Sequence, residues 1–294
     1  MSDTMATLRR KIDSAGDLQS VVRTMKAMAA SQIGQYDNAV RALDTYYRTV
    51  QLGLAACFRF TAPSAVATST QPKNSAAMGV IVFGSDQGLV GQFNAAMVDF
   101  VATTLTPLQG KKRVWAVGER IAARLGETDL AAEKSFVLPN SISAISTLVG
   151  QLLIEIGTQR EQGKMAQVML FHHRPVSGSD YEPVSRRLLP LDEAWLRDLA
   201  AIDWPTNNLP EVMTPAKETL AGFVREYLFV SLFMACAQSL ACENASRLAA
   251  MQRAEKNIDE LLDDLNRSFQ RQRQSSIDEE LFDVVSGFEA FAKP

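Results

Sequence analysis

The sequence predicts a long antiparallel coiled coil formed by its N- and C-terminal helices, with a small α/β domain inserted between them. Three observations carry this reading. All 11 prolines except the terminal Pro294 lie between Pro63 and Pro215. Proline removes a backbone donor and clashes with the preceding helical turn, so two long proline-free ends are left able to run as helices. Both ends also carry an apolar stripe of helical period. The middle alternates short apolar runs with helical patterns, separated by turn residues.

In the N-terminal segment the stripe runs through Leu8, Ile12, Ala15, Leu18, Val22, Met25, Ala29, Ile33, Tyr36, Val40, Leu43, Tyr47, Val50 and Leu54. Its spacing is about 3.5 residues, against ~3.6 for a straight helix, which favours left-handed wrapping on a partner helix. Gly34 and Gly53 interrupt it at ~1 kcal/mol each relative to alanine. The C-terminal stripe runs through Leu220, Phe223, Tyr227, Val230, Met234, Ala237, Ala241, Ala245, Leu248 and Met251. It resumes at Ile258, Leu261, Leu265 and Phe269, then at Ile277, Leu281 and Val284. Thr214 and Pro215 suit a helix start and Gly287 a helix stop. At ~1.5 Å per residue such helices reach ~75–105 Å, too long to bury a stripe in one compact core. Packing the two against each other solves this, and small residues around Ala27–Ser31 and at Ala235, Ala237, Ala241 and Ala245 permit close approach. An ordinary helical bundle is the alternative.

Between the ends, 63–75 reads as a polar linker. Strands are expected at Met78–Gly84, Arg113–Val117, Ala166–His172 and, more exposed, Val184–Pro190. Helices are expected at Phe93–Leu105, from Glu119, and at Ile142–Gln159. That alternation implies a mainly parallel, Rossmann-like sheet. The boundaries expected are 1–62, 76–192 and 214–288.

The chain is near neutral, with a formal net charge of −3, which argues against general nucleic-acid binding. Cys57, Cys236 and Cys242 have no metal spacing and read as buried reduced thiols. The apolar run from Tyr227 to Cys242 is shorter than the ~20 residues of a membrane span. Gly84, Gly88 and Gly91 follow a strand and precede a helix, but match neither dinucleotide nor phosphate-loop spacing. They are expected to form a tight turn needing positive φ. His172 and His173 are adjacent on a strand and point to opposite faces, one packed and one exposed. Asp263, Asp264, Asp278, Glu279 and Glu280 read as a solvated helix face. Arg267, Arg271 and Arg273 suit a contact surface for acidic loops and a solvated face equally. No catalytic residue, cofactor or metal site is expected.

Four collinear motifs carry a family resemblance. They are Leu8-Arg9-Arg10-Lys11-Ile12 with Val21 to Gln32; Ser85 to Asn94 (SDQGLVGQFN); Glu243 to Met251 (ENASRLAAM); and Asn257, Leu261 to Asn266, Arg273 to Leu281 (RQSSIDEEL) and Val284 to Gly287. The chain resembles the γ subunit of F-type ATP synthases over nearly its whole length. The resemblance implies a non-catalytic rotor, or central stalk, that couples ion translocation to ATP synthesis or hydrolysis by rotating inside a hexamer of α and β subunits. It implies further contacts with the ε subunit and the membrane-embedded c-ring. It also places the complex at the cytoplasmic face of a bacterial inner membrane, with no nucleotide bound by this chain. Met25, Arg247, Arg273, Gln274 and Asp278 fall at family positions facing catalytic-subunit loops. Asp86, Gly88, Gly91 and Asn94 fall in the family's motif loop, with a structural role.

The departures from the family pattern are Val90 for a usual Cys, Gln87 for Arg or Lys, Gln32 for Lys, Val22 for Thr and Asp278 for Thr. The foot segment, Asp203-Trp204-Pro205 and Leu209 to Met213, lacks the second aromatic of the family pattern. These imply a divergent bacterial branch, such as a second rotary enzyme. A coiled-coil adaptor and a small nucleotide-binding enzyme with helical arms are the competing function classes.

Overall fold

A computed structural model describes residues 4–60, 77–176, 180–191, 193–202, 204–206, 208, 210, 211 and 215–292. The elements in order are α1 (Met5–Phe60), β1 (Ala77–Phe83), α2 (Phe93–Leu105), β2 (Lys112–Val117), α3 (Glu119–Gly126), β3 (Lys134–Phe136), α4 (Ile142–Glu161), β4 (Met165–Pro175), β5 (Tyr181–Leu189), α5 (Glu193–Ala200) and α6 (Ala216–Ala292). The expected linker 63–75 lies outside the described residues, as do Thr214 and half of the foot segment (203, 209, 212 and 213). The fold is the expected one: two long terminal helices and a central mixed sheet.

Two compact units divide the chain, Met1–Ala29 with Leu248–Pro294, and Ala30–Arg247. Both long helices contribute to each.

Along α1 the expected stripe is buried or half-buried except at Leu18. Its buried members Leu8, Ala15, Val22, Ala29, Tyr36 and Val50 fall on a seven-residue interval that Leu43 completes, and Leu54 is buried one turn beyond. That interval is the repeat that left-handed helix wrapping requires. Gly34 is accommodated without a break. Gly53 is needed where it stands, because a Cβ there would lie 2.2 Å from the Phe223 ring.

α6 begins directly after Pro215 and runs 77 residues. It passes through Gly287, so the expected stop there is corrected. A glycine in a helix interior costs only ~1 kcal/mol, less than the neighbouring helical residues supply. One stretch of α6 is long and apolar enough to cross a membrane by length and composition. Its Tyr227, Val230, Leu232, Phe233, Cys236, Ala237 and Leu240 are instead buried in protein.

In the Ala30–Arg247 unit the sheet order is β3-β2-β1-β4-β5, with β1 central. All neighbours pair in parallel except β4 with β5, which is antiparallel. β1 shows why its sequence is a continuous apolar run. Val80 and Val82 face a layer built from α2 and α3, including Met97, Val101, Ile121 and Leu125. Ile81 and Phe83 face the opposite layer, where Ile145, Leu148 and Leu152 of α4 join Leu54 of α1 and Leu232 and Leu240 of α6. A strand covered on both faces has no polar alternation. β5 closes one edge and carries Pro183, tolerated where no further strand needs its donor.

Sequence reasoning missed β3 and α5. β3 is only three residues long, too short for a period, and α5 is only eight.

Candidate functional site

The motif loop between β1 and α2 is held by its own polar side chains. Asp86 accepts the backbone N–H of Glu119 through Oδ1 at 2.9 Å and that of Leu138 through Oδ2 at 3.0 Å. One carboxylate thus ties the loop to the α3 N-terminus and to the segment after β3. Asn94 Oδ1 accepts the Ser85 N–H at 3.0 Å, and Asn94 Nδ2 donates to Ser85 Oγ at 2.7 Å. The Ser85 hydroxyl in turn donates to the Gln87 carbonyl at 2.8 Å.

The glycines act differently from the expectation. Positive φ falls at Leu89 (61°) and Gly91 (55°), and not at Gly84 or Gly88. Gly84 is required for close approach instead, since a Cβ would meet Ile121 at 2.2 Å. A Cβ on Gly88 would meet Arg120 only at ordinary contact distance. The strain-sensitive position is Gly118, with φ 118° and its virtual Cβ 2.7 Å from the Ser85 carbonyl oxygen. Gly118 follows β2 and was not singled out in the sequence.

In open α/β sheets ligands bind beyond the carboxyl ends of the strands, where the strand order reverses. Here β1 and β4 flank that point, and α6 covers it. Ser246 Oγ donates to the Val90 carbonyl at 2.6 Å, and Tyr181 shares a 3.0 Å hydrogen bond with Ser246. Val90, Phe93 and Cys242 pack together with Tyr181. The thiol of Cys242 is pushed up to about 12, chiefly by burial. The loop therefore serves as the seat of α6.

Both histidines are buried, which corrects the expectation that one is exposed. His172 Nε2 meets Gln238 of α6 at 3.0 Å. His173 stacks on Phe93 at 4.0 Å between centroids and meets Tyr181 edge-on at 5.1 Å. Burial pushes His172 down to about 4 and His173 to about 3, the first against its Gln238 hydrogen bond. Both are neutral at physiological pH and neither is placed for joint metal binding. The described residues hold no group of three or more metal-ligating side chains.

Arg247 lies beside this seat. Its Nη2 donates to Glu243 Oε1 at 2.6 Å and its Nη1 to Asn244 Oδ1 at 3.3 Å. Both partners are largely buried, and burial raises the Glu243 carboxyl despite the arginine. Glu243 Oε2 and Arg247 Nε find no partner among the described residues.

In the Met1–Ala29 and Leu248–Pro294 unit the helices run antiparallel. Gln19 pairs with Asp259, Arg23 with Glu255 at 2.9 Å, and Lys26 also with Glu255. Lys26 and Arg23 hold the Glu255 carboxyl below its usual range. The seam beneath is thin: Val22, Met251 and Ile258 cluster with Met25, Ala250, Ala254 and Leu262 packed on them, and Leu8, Ala15 and Ala29 are buried along the same α1 stripe. Leu262 takes the seam position expected of Leu261, which is exposed. At this register Met5 falls opposite residue ~273, and about five turns of α6 continue beyond the start of α1. Ile277, Leu281, Phe282, Val284 and Val285 on those turns are exposed. The apolar stripe expected there is not packed: among the described residues no helix covers it.

The sequence-predicted contact residues are therefore dispersed. Met25 is half-buried in the seam, Arg247 is ion-paired beside the motif loop, and Arg273, Gln274 and Asp278 are exposed on the final turns of α6. The carboxylates at Asp263, Asp264 and 278–280 lie on exposed helix surface, without catalytic enclosure.

This architecture defines a class: a stalk of two long helices joined to an α/β domain whose ligand crevice is filled by its own helix. Residues 4–291 match the family model described as ATP synthase, and the chain belongs to that family. It is 24% identical over 287 residues to the ATP synthase gamma chain of Polynucleobacter asymbioticus, covering 95% of this chain and 96% of that one. It is 26% identical over 300 residues to the gamma chain of Clavibacter sepedonicus, covering 99% of each. Its fold is similar to a chain of the Euglena gracilis mitochondrial ATP synthase rotor (TM-score 0.65, 15% identity, 93% of this chain and 98% of that one). It is similar also to a chain in the OSCP/F1/c-ring structure from the same organism (TM-score 0.67, 14% identity, 98% and 94%). The role is that of a central-stalk subunit with no catalytic chemistry of its own.

Proposed function

We propose that this chain turns as the rotor inside a hexamer of α and β subunits, coupling ion translocation at a c-ring to ATP synthesis or hydrolysis. The carrying observation is the end of α6: about five helical turns with Ile277, Leu281, Phe282, Val284 and Val285 exposed and no partner helix among the described residues. Exposed apolar surface of this kind marks a protein interface, and a surrounding ring of subunits would cover it. Arg273, Gln274 and Asp278 on the same turns are placed to meet catalytic-subunit loops. Met25 contributes from the seam. Arg247 contributes on release from Glu243, so its contact comes and goes with conformation. Asp86, Gly88, Gly91 and Asn94 hold the seat of α6.

The division into 1–62, 76–192 and 214–288 then separates shaft from foot, with the foot resting on the c-ring and binding an ε subunit. The complex sits peripherally at the cytoplasmic face of a bacterial inner membrane. Affinity purification of the tagged chain from its own membranes tests this reading. It predicts co-purification of a hexamer of larger subunits with ATPase activity. A chain recovered alone, as a stable monomer, contradicts it. Replacing Arg273 and Gln274 together with alanine lowers coupled ATP turnover in the assembled complex, and unchanged turnover removes them from the mechanism.

A further inference from the structure

We propose that Arg186 is a positioning residue that clamps the α/β domain to both long helices, so that sheet and helices turn as one body; this rests on the rotor reading above. Arg186 lies on β5, opposite Leu170 of β4. Its Nη2 donates to the Tyr47 hydroxyl of α1 and, at 3.1 Å, to the Tyr227 hydroxyl of α6. Its guanidinium carbon is 5.6 Å from the Tyr47 ring centroid and 5.5 Å from that of Tyr227. The two rings are 6.0 Å apart, and Trp195 of α5 backs Tyr227 at 4.6 Å. One cation is thus shared between two phenols on two different helices, with an aromatic wall behind.

The placement matters because the other polar ties from the α/β domain described above, from Val90, Tyr181 and His172, all reach α6 alone. Arg186 reaches α1 as well. Any twist of α1 against α6, or of the pair against the sheet, pulls the guanidinium away from at least one ring. Apolar packing resists separation but has no preferred direction. A planar guanidinium, hydrogen-bonded to two hydroxyls and flanked by two rings, has one. Among the described residues no carboxylate is paired with Arg186, and the cation is held by the two tyrosines. It is charged at every physiological pH, and the Tyr227 hydroxyl, pushed up to about 12 by burial, remains protonated. The clamp therefore works across the pH range of a cell.

A merely structural arginine and a transmission arginine differ in what they disturb. The first lowers the amount of intact complex; the second lets torque slip within complexes that are intact. The test compares wild type, Arg186→Met and Tyr47→Phe in the full complex reconstituted in vesicles, reading ions pumped per ATP hydrolysed. Methionine keeps the apolar stem and removes the fork. Phenylalanine keeps the ring and removes the hydroxyl that ties β5 to α1. The expected result is a ratio at least twofold lower for Arg186→Met, and a smaller fall for Tyr47→Phe. A wild-type ratio in Arg186→Met, with hydrolysis and pumping reduced in proportion, overturns the proposal. If Arg186→Met does not assemble, Tyr47→Phe decides alone: a lowered ratio supports the clamp and a wild-type ratio overturns it. A wild-type complex that hydrolyses ATP without pumping contradicts the rotor reading instead, so the two failures are distinct.

Discussion

The same two helices are held in two different ways in the two units of the chain. In the Ala30–Arg247 unit, Tyr36, Val50 and Leu54 of α1 and Tyr227, Leu232, Cys236 and Leu240 of α6 enter one large core with the sheet and α4. In the Met1–Ala29 and Leu248–Pro294 unit the buried apolar residues described are Leu8, Ala15, Val22, Ala29, Met251 and Ile258, a single narrow seam, and charged residues bridge over it. Burial of apolar area scales with how much protein surrounds a helix pair. Two helices alone cover each other along a single stripe and leave their outer faces wet. The Ala30–Arg247 unit exposes large apolar side chains only at scattered positions such as Leu89, Val137, Ile154 and Val176, while the other unit leaves Leu18, Val21, Met28 and a run of them on the final turns of α6 exposed. A helix end built this way is completed by another protein.

Substitutions separate the two regimes. The largest loss is expected for Glu243→Ala, which strands the Arg247 guanidinium in buried surroundings. Removing one partner of a buried pair costs ~3–5 kcal/mol, read by denaturant unfolding. Leu54→Ala, at a fully buried position, follows at ~2–5 kcal/mol, whereas Ile258→Ala in the thin seam falls at or below the bottom of that range. Equal losses at the two positions break the contrast between the units. Gly118→Ala costs at least the ~1–2 kcal/mol of a left-handed residue, with the Ser85 clash added, and destabilises the seat of α6.

Acid acts on the large core selectively. The folded-state values of His172 and His173, about 4 and about 3, lie below the ordinary 6.5. The unfolded chain therefore binds more protons between those values, and stability rises with pH through that window. Stability is lost as pH falls from 6.5 towards 4 and is flat with respect to these groups above 6.5. His173→Leu flattens that slope by up to ~1.4 kcal/mol per pH unit, measured by chemical denaturation at stepped pH. The smallest effect is at the surface bridge of half-buried Glu255 to exposed Arg23. Glu255→Gln weakens the thin unit slightly, and the difference shrinks as salt is added, because exposed ion pairs are screened.

The sequence was informative where physics is local and periodic. The seven-residue interval from Leu8 to Val50 exposed the coil, and the continuous run Val80–Phe83 revealed a strand covered on both faces. Phe93–Leu105 was legible from its apolar content between turn residues. Positions set by tertiary contact were not. The need for glycine at 118 comes from the Ser85 backbone, distant in sequence. The burial of His172 and His173 depends on Gln238 and Phe93, and the choice of Leu262 over Leu261 depends on the rotation of α6 in its seam. Arg186 gave no local signal, because its partners stand on helices more than a hundred residues before it and about forty after it. The contact residues Met25, Arg247, Arg273, Gln274 and Asp278 were reached through resemblance, and the chain alone leaves most of them without the partners that would define their roles.

In the rotor reading, the α/β domain and the two long helices move together inside a fixed hexamer. The direct measurement places a single label on the exposed Val137, as Val137→Cys, in a purified complex whose hexamer is fixed to a surface. With ATP supplied, the label is predicted to circle in one direction as ATP is consumed. A label that stays still while the same complexes hydrolyse ATP would contradict the account.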